Sequence, residues 1–192
     1  MCCRGNPKCR EPNLACVDTG DISLGYIYLY TGDGAGKTTN ALGLALRSIG
    51  HGNKVVIVQF LKGRKDVGEV KIGEKLGPEY EIRQFGTEEF VDPKHLRPID
   101  YEEAKKGLEY TRSVLMKKPD LLVLDEINLV LAGGLLGIED VLDLLKNLPS
   151  ETDVVLTGRL APRELIDRAD FVNVIVDVKH PPKMVTRKGI QY

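Results

Sequence analysis

A chain of 192 residues with 42% hydrophobic and 29% charged content is long enough for one sizeable core. Its formal charge is −1, with acids and bases interspersed, so no global field draws it to nucleic acid or to an anionic membrane. The most apolar stretch, 121–136, is interrupted by Asp125, Glu126 and Asn128 and cannot span a membrane; with no apolar signal core at the start, a cytoplasmic protein is expected.

Residues 1–22 read as a polar arm that holds all four cysteines, Cys2, Cys3, Cys9 and Cys16. Their spacing lacks the paired CxxC knuckles that preset a tetrahedral metal site, so the arm is either a metal- or cluster-binding element or a loosely ordered segment that orders on a ligand or partner. Residues 23–192 form the expected domain. Within it, residues 25–30 alternate aromatic and aliphatic side chains and predict a first strand.

Residues 31–39 read TGDGAGKTT. Between a strand and a helix this is a phosphate-binding loop: Gly32, Gly34 and Gly36 let successive N–H groups, with those of Asp33 and Ala35, turn toward anionic oxygens at a helix N-terminus. Lys37 adds a point charge, Thr38 a magnesium-binding hydroxyl, and Thr39 a further polar group at the helix start. The usual pattern is GxxxxGK[ST], but Thr31 stands where its first glycine would be, and Gly32 follows one residue too late. The cradle is short by one residue.

Residues 40–49 predict a helix with Ala41, Leu42, Ala45, Leu46 and Ile49 at helical spacing, closed by Gly50. KVVIVQF at 54–60 predicts a strand covered on both faces, and 81–85 a third strand. Residues 86–99, with Gly86, Pro93 and Pro98, predict a loop over the sheet edge. A helix capped by Asp100, with Glu103 as reciprocal partner, then runs to about Lys117. LLVL at 121–124 is a further buried strand, followed by a helix at 138–148, a strand at 154–157, a helix at 161–168 and a strand at 171–178. The alternation predicts a single-domain α/β fold, P-loop NTPase-like (RecA-like), with a mostly parallel sheet flanked by helices.

The strand that ends in Asp125 places a carboxylate at the same sheet edge as the phosphate loop, where it can hold magnesium directly or through water. Glu126 beside it either ligates the ion or orients an attacking water. The chain has no NKxD guanine-reading motif, since Asn53-Lys54-Val55-Val56 lacks the acid, and no arginine-dense lid of the small-molecule kinase type.

TGDGAGKTTNALGLALRSIGHG, VVIVQFLKG, LLVLDEINLVLAGGLL, VVLTGRLAPRELIDRAD and the tail elements VKH and GIQY stand in the order that resembles ATP:corrinoid adenosyltransferases, over about residues 25–192. The short phosphate loop is itself part of the resemblance. It implies an enzyme of cobalamin biosynthesis or salvage that transfers the 5′-deoxyadenosyl group of ATP to the cobalt(I) of cob(I)alamin or another corrinoid and releases triphosphate, with ATP held in reverse. It also implies Mg2+ or Mn2+ on Thr38, Asp125 and Glu126, catalysis by Lys37, Thr38 and Glu126, a homodimer and a separate electron donor. Arg159, after the strand beyond the acidic one, is expected to reach the nucleotide. Arg47 is either a nucleotide contact or a surface charge of its helix. Phe90, with Val91, is placed where the family strips cobalt of its lower ligand, although this chain has no Trp. His95 is expected to be a solvated loop residue. The rival readings are a nucleotide-dependent switch that orders the 86–99 loop, and a simple ATPase in which Glu126 activates water.

Overall fold

The computed structural model describes residues 25–192 apart from Phe90, Pro93, Lys94, Met184 and Tyr192. The cysteine-bearing arm and the Phe90 platform therefore lie outside the described residues. Among the described residues six strands form one all-parallel sheet: β1 (Ile27–Thr31), β2 (Val55–Phe60), β3 (Tyr80–Phe85), β4 (Leu121–Asp125), β5 (Asp153–Thr157) and β6 (Phe171–Val174), in the order β3-β2-β4-β5-β1-β6. β5 thus lies between the strand leading into the phosphate loop and the strand ending in Asp125. The sheet is wholly parallel where a mostly parallel one was expected, and it is consistent with the P-loop NTPase-like fold.

The helices are α1 (Lys37–Ile49), α2 (Gly68–Lys71), α3 (Gly73–Leu76), α4 (Pro98–Leu115), α5 (Ile127–Ala132), α6 (Ile138–Lys146) and α7 (Arg163–Arg168). Every residue of β2 and β4 is buried, which explains why their sequences are apolar runs rather than alternations. The pleat still sorts them. Val55, Ile57, Leu121, Val123 and Val155 pack with Ala41 and Ala45 of α1 on one face. Val56, Val58, Phe60, Leu122, Leu124 and Leu156 pack on the other with residues of α4, α5, α6 and α7. Each fully buried Leu or Phe in these layers stabilises the fold by about 1.5–3 kcal/mol.

Several boundaries differ from expectation. α1 begins at Lys37, three residues early, because GKTT itself makes the first turn. Asp100 is not the cap of α4: Pro98 occupies the first turn, Arg97 is the N-cap, and the Asp100 carboxylate accepts the Arg97 backbone N–H at 2.8 Å. A proline tolerated in a first turn moved the start upstream. α2, α3 and α5 are too short to show a helical period in sequence. β6 stops at Val174 because β1 ends opposite it: the Ile175 N–H makes the last bond to β1, to the Thr31 carbonyl at 2.8 Å, and the Ile175 carbonyl already accepts from the phosphate loop, the Gly34 N–H at 2.9 Å. Among the described residues no helix is long and apolar enough to cross a membrane.

Candidate nucleotide and metal site

The short cradle has a structural cause. Thr31 remains the last residue of β1, paired in register with Val174, so the turn starts at Gly32. Gly32 (φ 97°) and Gly36 (φ 109°) adopt left-handed backbone that a side chain would strain. Gly36 is also the N-cap of α1 and provides no side-chain cap, which leaves the first-turn amides of α1 available to an anion. The loop is pressed against residues 175–177. A Cβ at Gly34 would lie 2.7 Å from the Val176 carbonyl carbon, and the Ala35 N–H donates to the Asp177 carboxylate at 3.2 Å.

Lys37 is buried and folds back on its own loop, donating to the carbonyls of Gly32 at 2.7 Å and Gly34 at 2.5 Å. Burial pulls its pKa below the usual lysine range, reinforced by Arg159 and opposed by Glu126, Asp33 and Asp177. Arg159 reaches the loop from the β5 side, with its guanidinium donating to the Asp33 carbonyl at 3.2 Å.

At the end of β4, Asp125 is 1% exposed and all its acceptor positions are engaged. One carboxylate oxygen accepts the hydroxyls of Thr38 at 2.9 Å and Thr157 at 2.6 Å; the other accepts Lys62 Nζ at 2.6 Å and Gln59 Nε2 at 3.0 Å. Burial alone would raise its pKa, but Lys62 and these hydrogen bonds outweigh burial and hold the carboxyl below its ordinary range. Glu126 shows the opposite balance: burial, then the neighbouring Asp125 charge, push its pKa up against Lys62, Lys37 and Arg159. Glu126 sits in left-handed backbone (φ 64°) at the N-cap of α5, with its N–H donating to Thr157 Oγ1 at 3.0 Å. A non-glycine residue held there is strained by its surroundings, a feature that gathers at functional sites.

Thr38 and Asp125 bring together the hard oxygen donors that magnesium prefers. So few protein ligands suit an ion that keeps waters and takes substrate phosphates. Two clefts adjoin Lys62, the cation paired with Asp125. One of about 430 Å³ runs past Thr38, Thr39, Leu42, Leu46, Lys62 and Tyr80; the other, of about 470 Å³, lies over Lys62, Arg64, Gln84 and Thr87. The tail residue Gln191 borders both.

The structure therefore gathers Gly32 to Thr39, Asp125, Glu126 and Arg159 at one sheet edge. Arg47 is not among them. It sits in the last turn of α1 beside His51, Asn53 and Asp120, about 15 Å along the helix from Lys37. His95 is an exposed loop residue paired with Asp92 at 2.7 Å, while Val91 is buried in the fold. Sequence reasoning missed Gln59, Lys62, Thr157 and Asp177. A glutamine inside an apolar strand and a lysine two residues beyond its end were the visible signals for the first two. Thr157 and Asp177 gave none.

A glycine-rich loop between strand and helix, closed by Lys-Thr and faced by a strand-end aspartate, defines a phosphate-loop nucleotide-binding protein. Residues 23–192 match the family model described as ATP:corrinoid adenosyltransferase BtuR/CobO/CobP, and the chain belongs to that family. It is 34% identical over 174 residues to the corrinoid adenosyltransferase of Escherichia coli, covering 90% of this chain and 87% of that one. It is 35% identical over 157 residues to corrinoid adenosyltransferase CobA of Salmonella typhimurium, covering 81% and 79%. To the corrinoid adenosyltransferase of Pseudomonas aeruginosa it is 34% identical over 172 residues, covering 88% and 84%.

Proposed function

We propose that this chain transfers the 5′-deoxyadenosyl group of ATP to the cobalt(I) of a corrinoid. The observation that carries this reading is the family match over 23–192, which includes the one-residue-short phosphate loop. In the displacement a cobalt(I) electron pair forms the bond to the 5′ carbon, the carbon–oxygen bond breaks, and its electrons leave on triphosphate. No proton moves, so no general base is required. In this reaction Glu126 is not needed to activate water and stands beside the metal position, whereas the ATPase reading would use it as a base.

The leaving group gains negative charge as it departs, which a preorganised set of donors stabilises. Lys37 serves that role by leaving the Gly32 and Gly34 carbonyls for phosphate oxygens, with the loop amides of Gly32 to Gly36 and the guanidinium of Arg159 beside it. Thr38 and Asp125, with Glu126 adjacent, would hold magnesium, which when bound neutralises charge on the triphosphate. Phe90 is assigned to the corrinoid side on the family resemblance alone. A homodimer, a separate electron donor, a cytoplasmic location and an N-terminal arm distinct from the 23–192 domain belong to the same proposal and rest on the family likeness and the sequence.

Lys37→Ala tests the nucleotide assignment. Removing one partner of a desolvated charge pair costs about 2–5 kcal/mol, so calorimetric ATP affinity and anaerobic adenosylation should collapse together. Near-normal activity in that variant would sink the assignment.

A further inference from the structure

Lys62 lies where the nucleotide reading needs a metal. Its ammonium is 2.6 Å from an Asp125 carboxylate oxygen and 3.2 Å from Thr38 Oγ1. The Thr38 hydroxyl donates its proton to Asp125, so what it offers Lys62 is a lone pair, the group a divalent ion would use. The position is built into the fold. Leu61 takes left-handed backbone (φ 57°) and is tied by its N–H to the Phe85 carbonyl at 2.8 Å, turning the chain so that Lys62 points back at Asp125. The following segment is clamped against the loop after β3. A Cβ on Gly86 would stand 2.5 Å from the Lys62 backbone nitrogen, and one on Gly63 2.6 Å from the Thr87 carbonyl carbon.

We propose that the Lys62 ammonium and a divalent ion are alternative occupants of the Thr38–Asp125 position: Lys62 holds it in the free protein and yields when the ion arrives with the polyphosphate of ATP. The inference rests on the assignment of the metal to Thr38 and Asp125. Two cations cannot share that position, and a displaced ammonium beside buried carboxylates needs another anion nearby. Polyphosphate supplies it, and the clefts on both sides of Lys62 give its flexible stem room to reach it. Metal and nucleotide then bind with positive coupling, because each removes the obstacle the other meets. Lys62 is in this account a positioning residue, and it suppresses metal uptake by protein that carries no nucleotide.

The test is Mn2+ binding to the full chain, read by electron paramagnetic resonance with and without ATP. Wild type without nucleotide should bind Mn2+ weakly. Lys62→Met should bind it roughly tenfold or more tightly, Lys62→Gln likewise, and Lys62→Arg should behave as wild type, the size being that of ordinary coupling between sites. Lys62→Gln keeps a donor for Asp125 and so carries the test if Lys62→Met does not fold by circular dichroism. Folded Met and Gln variants with wild-type Mn2+ affinity overturn the proposal while leaving the metal assignment standing. A Thr38→Val variant that binds Mn2+ with ATP as well as wild type would instead overturn the metal assignment, and the proposal with it.

Discussion

Replacing Thr157 with valine keeps the shape of a fully buried side chain and deletes one hydroxyl that serves two partners. That hydroxyl donates to Asp125 at 2.6 Å and accepts the Glu126 N–H at 3.0 Å. A hydrogen bond to an ionised group contributes about 1.5–3 kcal/mol, and leaving a largely buried N–H unpaired costs about 1 kcal/mol or more. The expected loss is about 2–4 kcal/mol. With a urea slope of about 2 kcal/mol per molar, the unfolding midpoint should fall by about 1–2 M at unchanged slope. The assay is urea denaturation followed by circular dichroism at neutral pH, beside anaerobic adenosylation. Because Thr157 fixes the turn at Glu126, kcat should fall more than ATP affinity. A midpoint shift under about 0.3 M would refute the reasoning, since it would mean that neither bond contributes to stability.

Glu126→Gln should stabilise the protein and impair turnover. The folded pKa of Glu126 is raised, so the folded state binds its proton more tightly than the unfolded chain, and stability falls as pH climbs from the ordinary 4.5 through the raised value. The variant should lack that decline in a pH series of denaturation midpoints. Asp125 has the opposite sign: its pKa is depressed from 3.8, so its contribution is present above that pH and is lost as pH drops through the depressed value. Gly86→Ala should displace the Lys62 backbone, lower stability by about 1–3 kcal/mol in the same assay, and raise Mn2+ affinity in the absence of ATP. Asp177→Asn removes a negative charge whose carboxylate accepts the Ala35 N–H, so ATP should bind a few-fold more tightly by calorimetry; weaker binding would contradict the placement of Asp177 against the cradle.

Much of this site was legible in one dimension because its chemistry is local in sequence. Gly32 to Thr39 form one continuous segment, a turn running into the first turn of α1, and Asp125 follows directly from the apolar strand that carries it, so motif and fold edge coincide. What was not legible depends on strands distant in sequence lying side by side. Gln59 meets Asp125 only because β2 and β4 pair in that register, and Thr157 only because β5 lies between β4 and β1. The turn at Leu61 has no sequence signature, since a leucine in left-handed backbone is held there by its surroundings. Arg47 shows the converse failure: being near the motif in sequence did not bring it to the site, because α1 carries it away along its axis.

The most direct test of the central claim is to count both products of wild-type protein given chemically reduced cobalt(I) corrinoid, ATP and magnesium under anaerobic conditions. The account predicts one adenosylcorrinoid, seen by its cobalt–carbon spectrum, for each intact triphosphate identified by phosphorus NMR. ADP and phosphate, or bound ATP with neither product, would contradict it and favour the ATPase or the switch.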